Sequence, residues 1–217
     1  MTSAPRRGGV PSCRVPTLPQ IRSVLADHEP RRMPEPENIR NRACVALVFA
    51  GAPDALSLCF IRRTERDDDP WSGHMALPGG RADATDPTPQ FTALRETSEE
   101  VGLVLEPDAL LGALNQIPLR RIVRNDSVLC PFAFYWGDDL PPLEPEVREA
   151  EEAYWIPLRH LWDPGNLTTL DWNHEGRSMT FPGIAWGEHV IWGLTHRVLI
   201  DFARMLGEPL PAGPPAP

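Results

Sequence analysis

Glu96, Glu99 and Glu100 lie close together in the run Arg95-Glu-Thr-Ser-Glu-Glu-Val-Gly-Leu103. An α-helix turns by about 100° per residue, so positions i, i+3 and i+4 share a face. Three carboxylates gathered on such a face repel one another. Solvation relieves that repulsion, and a solvated surface is the commonest meaning of a glutamate-rich helix face. A hard divalent cation such as Mg²⁺ or Mn²⁺, which takes oxygen ligands, relieves it as well. The surroundings favour the cation. Gly79-Gly80 precede the helix and allow backbone to approach a ligand closely, Asp83 and Asp86 add loop carboxylates, and Arg95 can hold neighbouring acids through forked hydrogen bonds.

The element that must carry these acids is a helix over Pro89–Val101. Thr88 suits its N-cap, Pro89 its first position and Gly102 the position just past its end. Phe91, Leu94, Thr97 and Val101 are expected to pack it on a sheet. Strands are expected over residues 43–50 and 55–63, joined by the turn Gly51-Ala-Pro-Asp54. A polar loop follows from residue 64 to about Gly73, then residues 75–77 and a break at Pro78-Gly79-Gly80. Further strands are expected at 109–116, 127–136 and 149–158, with a hairpin of 167–172 and 177–181 over Asn173-His-Glu-Gly176. Helices are expected at 17–28 and 189–206, the second with a wide apolar face. Interleaved strands and helices give a mixed α/β (α+β) class with a mixed or largely antiparallel sheet.

With these elements in place, the segment resembles the Nudix box, G-x5-E-x7-R-E-U-x-E-E-x-G-U, where U is aliphatic. Arg95-Glu96, Glu99-Glu100, Gly102 and Leu103 match its second half. Asp86 stands where the first glutamate is usual, one residue further from the arginine than in the pattern, and Thr97 replaces the aliphatic residue. The resemblance implies an α/β/α sandwich around a mixed sheet. It implies metal ligation by Glu96, Glu99 and Glu100, with a loop carbonyl at Gly79 or Gly80, and orientation of these acids by Arg95. It also extends over most of residues 40–207. Ile61-Arg-Arg-Thr64 and the run from Trp71 to Gly80 look like the extra motif of the coenzyme A pyrophosphatase subgroup, with Leu77 in place of Phe and a more acidic loop at residues 65–69. Trp186 to Thr195 is similar to that subgroup's closing segment.

The implied reaction is metal-dependent hydrolysis of a diphosphate link in a nucleotide derivative. Coenzyme A or an acyl derivative would give 3′,5′-ADP and a phosphopantetheine. The general base is open among Glu149, Glu152 and Glu100. Arg62, Arg63 and Arg121 are candidate phosphate contacts. Alternatives are another nucleoside diphosphate derivative, a nucleotide-binding scaffold without hydrolysis, and an isomerase of the isopentenyl diphosphate type. Intact box acids argue against the second, and cysteines in apolar runs argue against the third.

The remaining composition bounds the setting. The 217 residues suit one domain over 39–207, preceded by an arm and short helix at 1–38 and followed by a Pro-rich tail at 208–217. A net charge of −9 argues against a nucleic-acid partner. No apolar run approaches the roughly 20 residues of a membrane span. The partner expected is a small nucleotide diphosphate, and a homodimer is compatible with the sequence. All 21 cationic residues are arginine, which suits forked phosphate recognition but reads mainly as compositional bias. Cys13, Cys44, Cys59 and Cys130 include no C-x-x-C pair, and Cys44 and Cys59 lie in apolar runs. Free buried thiols in a reducing, cytoplasmic setting are expected. Arg6, Arg7 and Arg14, with no early acid, also resemble the composition of an organelle-targeting arm, for which a disordered arm is the commoner reading.

Overall fold

The structure is a computed structural model that describes residues 14–36, 38–65, 72–119, 127–174 and 177–211. Helix α1 (Leu18–Ala26) precedes strands β1 (Arg42–Ala50), β2 (Ser57–Arg63), β3 (Met75–Ala76) and β4 (Gly79–Arg81). Helix α2 (Pro89–Val101) is followed by β5 (Leu110–Ala113), β6 (Ile117–Pro118), β7 (Val128–Tyr135) and β8 (Ala150–Pro157). Then come α3 (Leu158–Leu161), β9 (Leu167–His174), β10 (Arg177–Trp186), β11 (His189–Trp192) and α4 (Gly193–Met205).

The main sheet runs β3-β2-β1-β7-β5, with β8 on β2, β4 on β1 and β6 on β7. Among the described residues only β1 and β7 pair in parallel; the other pairs are antiparallel, so the sheet is mixed as expected. Alternation along β1 divides the core between two faces. Ala46 and Val48 join Ala93 and Val101 of α2 on one side, while Leu47 and Phe49 join α1, α3 and α4 on the other. Phe49 meets Phe202 of α4 with ring centroids 5.4 Å apart. Full burial of such a side chain contributes about 1.5–3 kcal/mol, so both helix layers are anchored through this one strand. The resulting α/β/α arrangement is the expected fold. Strands β9, β10 and β11 form a second, antiparallel sheet.

Helix α2 has the expected bounds and caps. The Thr88 hydroxyl accepts the Phe91 N–H at 3.1 Å, and Gly102, at φ 72°, closes the C-terminus by donating to the Ser98 carbonyl. Three expectations need correction. Phe91 does not pack on the sheet but is 44% exposed; Thr92, Ala93, Thr97 and Val101 make the contact instead. The apolar seam lies one residue round from where Phe91 placed it, because Thr92 and Thr97 bury their hydroxyls in local bonds. The last helix starts at Gly193 rather than residue 189. Residues His189–Trp192 are a strand, turned back at Gly187 so that Trp186 pairs with His189. Its β-branched Val190 and Ile191 favour a strand, and Gly193, at φ 61°, turns the chain into α4. Finally, Gly79 and Gly80 form a strand rather than a break, with Gly79 opposite Val45 and Gly80 opposite Cys44.

Candidate active site

Strand β4 enters the sheet beside β1 with no room for side chains. A Cβ on Gly79 would stand 2.2 Å from the Cys44 carbonyl oxygen, and one on Gly80 would stand 2.4–2.5 Å from the Glu96 carboxylate. These glycines let α2 lay its acids directly on the strand. The Gly79 N–H donates to Glu100 Oε2 at 2.7 Å. On the other side, Glu146 donates its N–H to the Glu100 backbone carbonyl at 3.0 Å, and the turn it opens closes when Glu149 donates back to the Glu146 carbonyl at 2.8 Å. That turn delivers Glu149 to the start of β8. One carboxylate oxygen each from Glu96, Glu100 and Glu149 then lies within 4.8 Å of the others.

Glu99 falls outside that trio. It pairs with Arg95 at 2.8 Å on the solvent side of the helix. Arg95 links the acids. Its Nε and Nη2 donate to the two oxygens of Asp86 at 3.0 and 2.9 Å, its Nη1 lies 3.0 Å from Glu96, and Nη2 also reaches the Arg81 carbonyl at 3.3 Å. Asp86 is buried and further held by the Thr92 hydroxyl at 2.8 Å and the Asp83 N–H at 2.9 Å. Hydrogen bonding from Arg95 lowers the Asp86 carboxyl to about 2. The aspartate at the box's first acid position is thus the anchor that fixes Arg95, a role its position signals but that loop spacing alone did not assign.

Burial raises Glu96, against the pull of Arg95. Burial also pushes Glu100 up to about 8; Gly79 and Arg63 oppose this, and Glu96 and Glu149 add to it. Desolvated carboxylates this close need positive charge to ionise together. Every donor in the trio is a carboxylate oxygen, the ligand type of Mg²⁺ or Mn²⁺. The residues therefore fit a hard divalent cation.

A cavity of about 270 Å³ opens beside Gly79, Gly80 and Arg81. Arg63 and His74 line its polar rim, while Met75, Leu77, Trp192 and Leu194 supply apolar walls. Arg63 donates its N–H to the His74 carbonyl at 3.1 Å, His74 packs edge-on to Trp192 at 4.8 Å, and Thr195 ties α4 to the Met75 carbonyl at 3.2 Å. The two adjacent arginines divide as strand geometry requires. Arg63 reaches the cavity, whereas Arg62 is held by Glu65, Glu151 and Glu152 at 3.0, 2.9 and 3.2 Å. Arg121, the rest of the arginine-rich loop at 120–125, Trp71 and the acidic stretch 66–69 lie outside the described residues. Neither Trp192 nor His74 is among the site residues that the sequence points to; Trp192, like Leu194, reads there as core packing.

Residues 39–177 match the family model described as the NUDIX domain. The chain is 30% identical over 165 residues to the mitochondrial coenzyme A diphosphatase NUDT8 of Mus musculus, covering 72% of this chain and 75% of that one. The Homo sapiens protein of the same name is 29% identical over 168 residues, covering 77% and 70%. In fold, the chain is similar to a MutT/nudix family protein from Enterococcus faecalis, with a TM-score of 0.55, 20% identity, and coverage of 84% of this chain and 66% of that one. Together with the acids of α2 and their Arg95 clamp, these matches show that the chain belongs to the Nudix family and is a pyrophosphohydrolase.

Proposed function

We propose that this enzyme hydrolyses the diphosphate of coenzyme A or an acyl-coenzyme A, releasing 3′,5′-ADP and a phosphopantetheine. The observation that carries this reading is the convergence of the Glu96, Glu100 and Glu149 carboxylates at the Gly79–Gly80 rim of a largely apolar cavity. Relatives named as coenzyme A diphosphatases, matched over most of this chain, support the substrate.

Glu96, Glu100 and Glu149 would hold Mg²⁺ or Mn²⁺, with Gly80 contributing its carbonyl and Glu99 standing beside them. Such a cation neutralises the charge by which a diphosphate repels its nucleophile. The protein's own groups do the rest. Asp86 fixes Arg95, and Arg95 holds Glu96 and Glu99 in place. Arg63 faces phosphate charge at the cavity mouth. Glu149, the exposed member of the trio, takes the proton of the attacking water. Apolar walls receive the arm that leaves. Arg62 acts by fastening β8 to β2, and so places Glu149.

A substrate panel with Mg²⁺ or Mn²⁺, read by chromatography of products, tests this. Release of 3′,5′-ADP from coenzyme A or its thioesters is expected to exceed turnover of nucleoside diphosphate sugars and dinucleotides; the reverse order overturns the substrate. Glu100→Gln is expected to lower turnover by at least about a hundredfold, and Glu99→Gln, outside the trio, by less, each with the fold intact by circular dichroism. Unchanged activity in both removes the mechanism.

A further inference from the structure

Cys44 and Cys130, far apart in sequence, are direct partners in the parallel pairing of β1 with β7. Both are buried in the core under α2, and each acts on the other's thiol, raising Cys44 and lowering Cys130. Neighbouring strands lie about 4.7–4.9 Å apart, which is within the Cα separation of roughly 4.4–6.8 Å that a disulfide spans. Cys130 also lines a second cavity, of about 290 Å³, on the far side of β1 from the acids, with Arg32 and Arg42 at its wall. The geometry points to a modification site: Cys44 and Cys130 form a reversible disulfide when a small peroxide enters that cavity.

The chemistry balances with hydrogen peroxide as oxidant. The Cys130 sulfur attacks one peroxide oxygen; an S–O bond forms, the O–O bond breaks and water leaves, giving a sulfenic acid. The Cys44 sulfur then attacks the Cys130 sulfur; the S–S bond forms, the S–O bond breaks and a second water leaves. The two thiols lose two electrons and two protons, and the peroxide is reduced to two waters. Cys130 suits the first step. Hydrogen bonding from Cys44, aided by Arg42 and Arg32, holds its thiol below the ordinary range, whereas burial pushes Cys59 well above it.

Two connections carry the bridge to the acids. The Thr92 hydroxyl opposes the rise that Cys130 and burial impose on the Cys44 thiol, and it donates to Asp86, the anchor of Arg95. On its other edge, Cys44 pairs with Gly80, and its carbonyl abuts Gly79. Drawing the Cys44 sulfur toward Cys130 shifts β1, against which the glycines of β4 pair.

The test treats the full chain with hydrogen peroxide and maps disulfides by peptide mass spectrometry without reduction. A peptide pair joined through Cys44 and Cys130, a fall in turnover of about tenfold or more, and recovery of both by dithiothreitol are expected. Cys130→Ser is expected to keep basal turnover and lose the peroxide response. Thiols that stay free, or a bridge that instead recruits Cys13 or Cys59, overturn the site; a mapped bridge with unchanged turnover overturns its coupling to the acids. Mapping needs no substrate, so a failure of the coenzyme A reading does not imitate a failure here.

Discussion

Glu100 sits under β4 with its carboxylate facing Gly79, Glu96 and Glu149, and burial raises it from 4.5 to about 8. A group raised on folding binds protons more tightly in the native state, so native stability falls as pH rises. Its contribution is complete below about 4.5, declines up to about 8 and is flat beyond. At about 1.4 kcal/mol per unit, the loss is on the order of a few kcal/mol. Glu96 is raised as well and adds with the same sign. Asp86 is lowered to about 2, so its stabilisation is present above 3.8 and is lost only as pH falls toward 2, outside that window. Melting curves in chelator are therefore expected to show Tm falling from pH 5 to pH 8, with a flatter profile in Glu100→Gln and a gain on adding Mg²⁺ or Mn²⁺ that is larger at pH 8 than at pH 5. A metal-free Tm that rises over this range contradicts the burial argument. The acids of α2 were legible because helical spacing is local. Which of them would meet Glu149 was not, since that contact depends on a turn held to α2 by the Glu146–Glu100 bond.

At the scale of elements, β4 does two jobs with two glycines. Gly79 is at φ 150°, and its missing Cβ leaves space for the backbone of β1, which cannot yield. The nearest atoms to a Cβ on Gly80 are the flexible end of Glu96. Gly79→Ala is expected to cost roughly 2 kcal/mol or more of stability through clash and strain, read as a substantial fall in Tm. Gly80→Ala is expected to melt within a few degrees of the parent while losing about tenfold or more in turnover, because Glu96 is displaced. Paired melting and rate measurements separate the two, and equal Tm losses would show that both glycines serve only the fold. From sequence, Pro78-Gly79-Gly80 read as a break because such residues mark turns; that Gly79 and Gly80 form a strand follows from β1 accepting them at its edge. The same limit hid β11. The apolar run 189–206 has helical content throughout, and only the Gly187 turn and Gly193 divide strand from helix.

Across the whole molecule, α2 and the turn before β8 supply the acids while β11 and α4 supply the far wall of the cavity, with Thr195 bonded to β3 tying that wall to the main sheet. The mixed class follows from interleaved strands and helices and the layers from the family resemblance, but the meeting of residues as distant as Arg63 and Leu194 around one space depends on how the second sheet lies, which no local pattern encodes. If that space seats the substrate's leaving arm, filling it should weaken binding without touching the chemistry. Leu194 is half-buried on the cavity wall, so Leu194→Trp adds bulk there without leaving a hole in the core. An interaction made equally in ground and transition states changes KM and leaves kcat in place. Leu194→Trp is therefore expected to raise KM by about tenfold, the loss of roughly 1.4 kcal/mol of binding, with kcat within about twofold and Tm near that of the parent. Steady-state kinetics on the best substrate of the panel decides it. An unchanged KM would place the substrate elsewhere on the acidic rim, and a fall in kcat alone would mean that α4 supports the acids rather than the substrate.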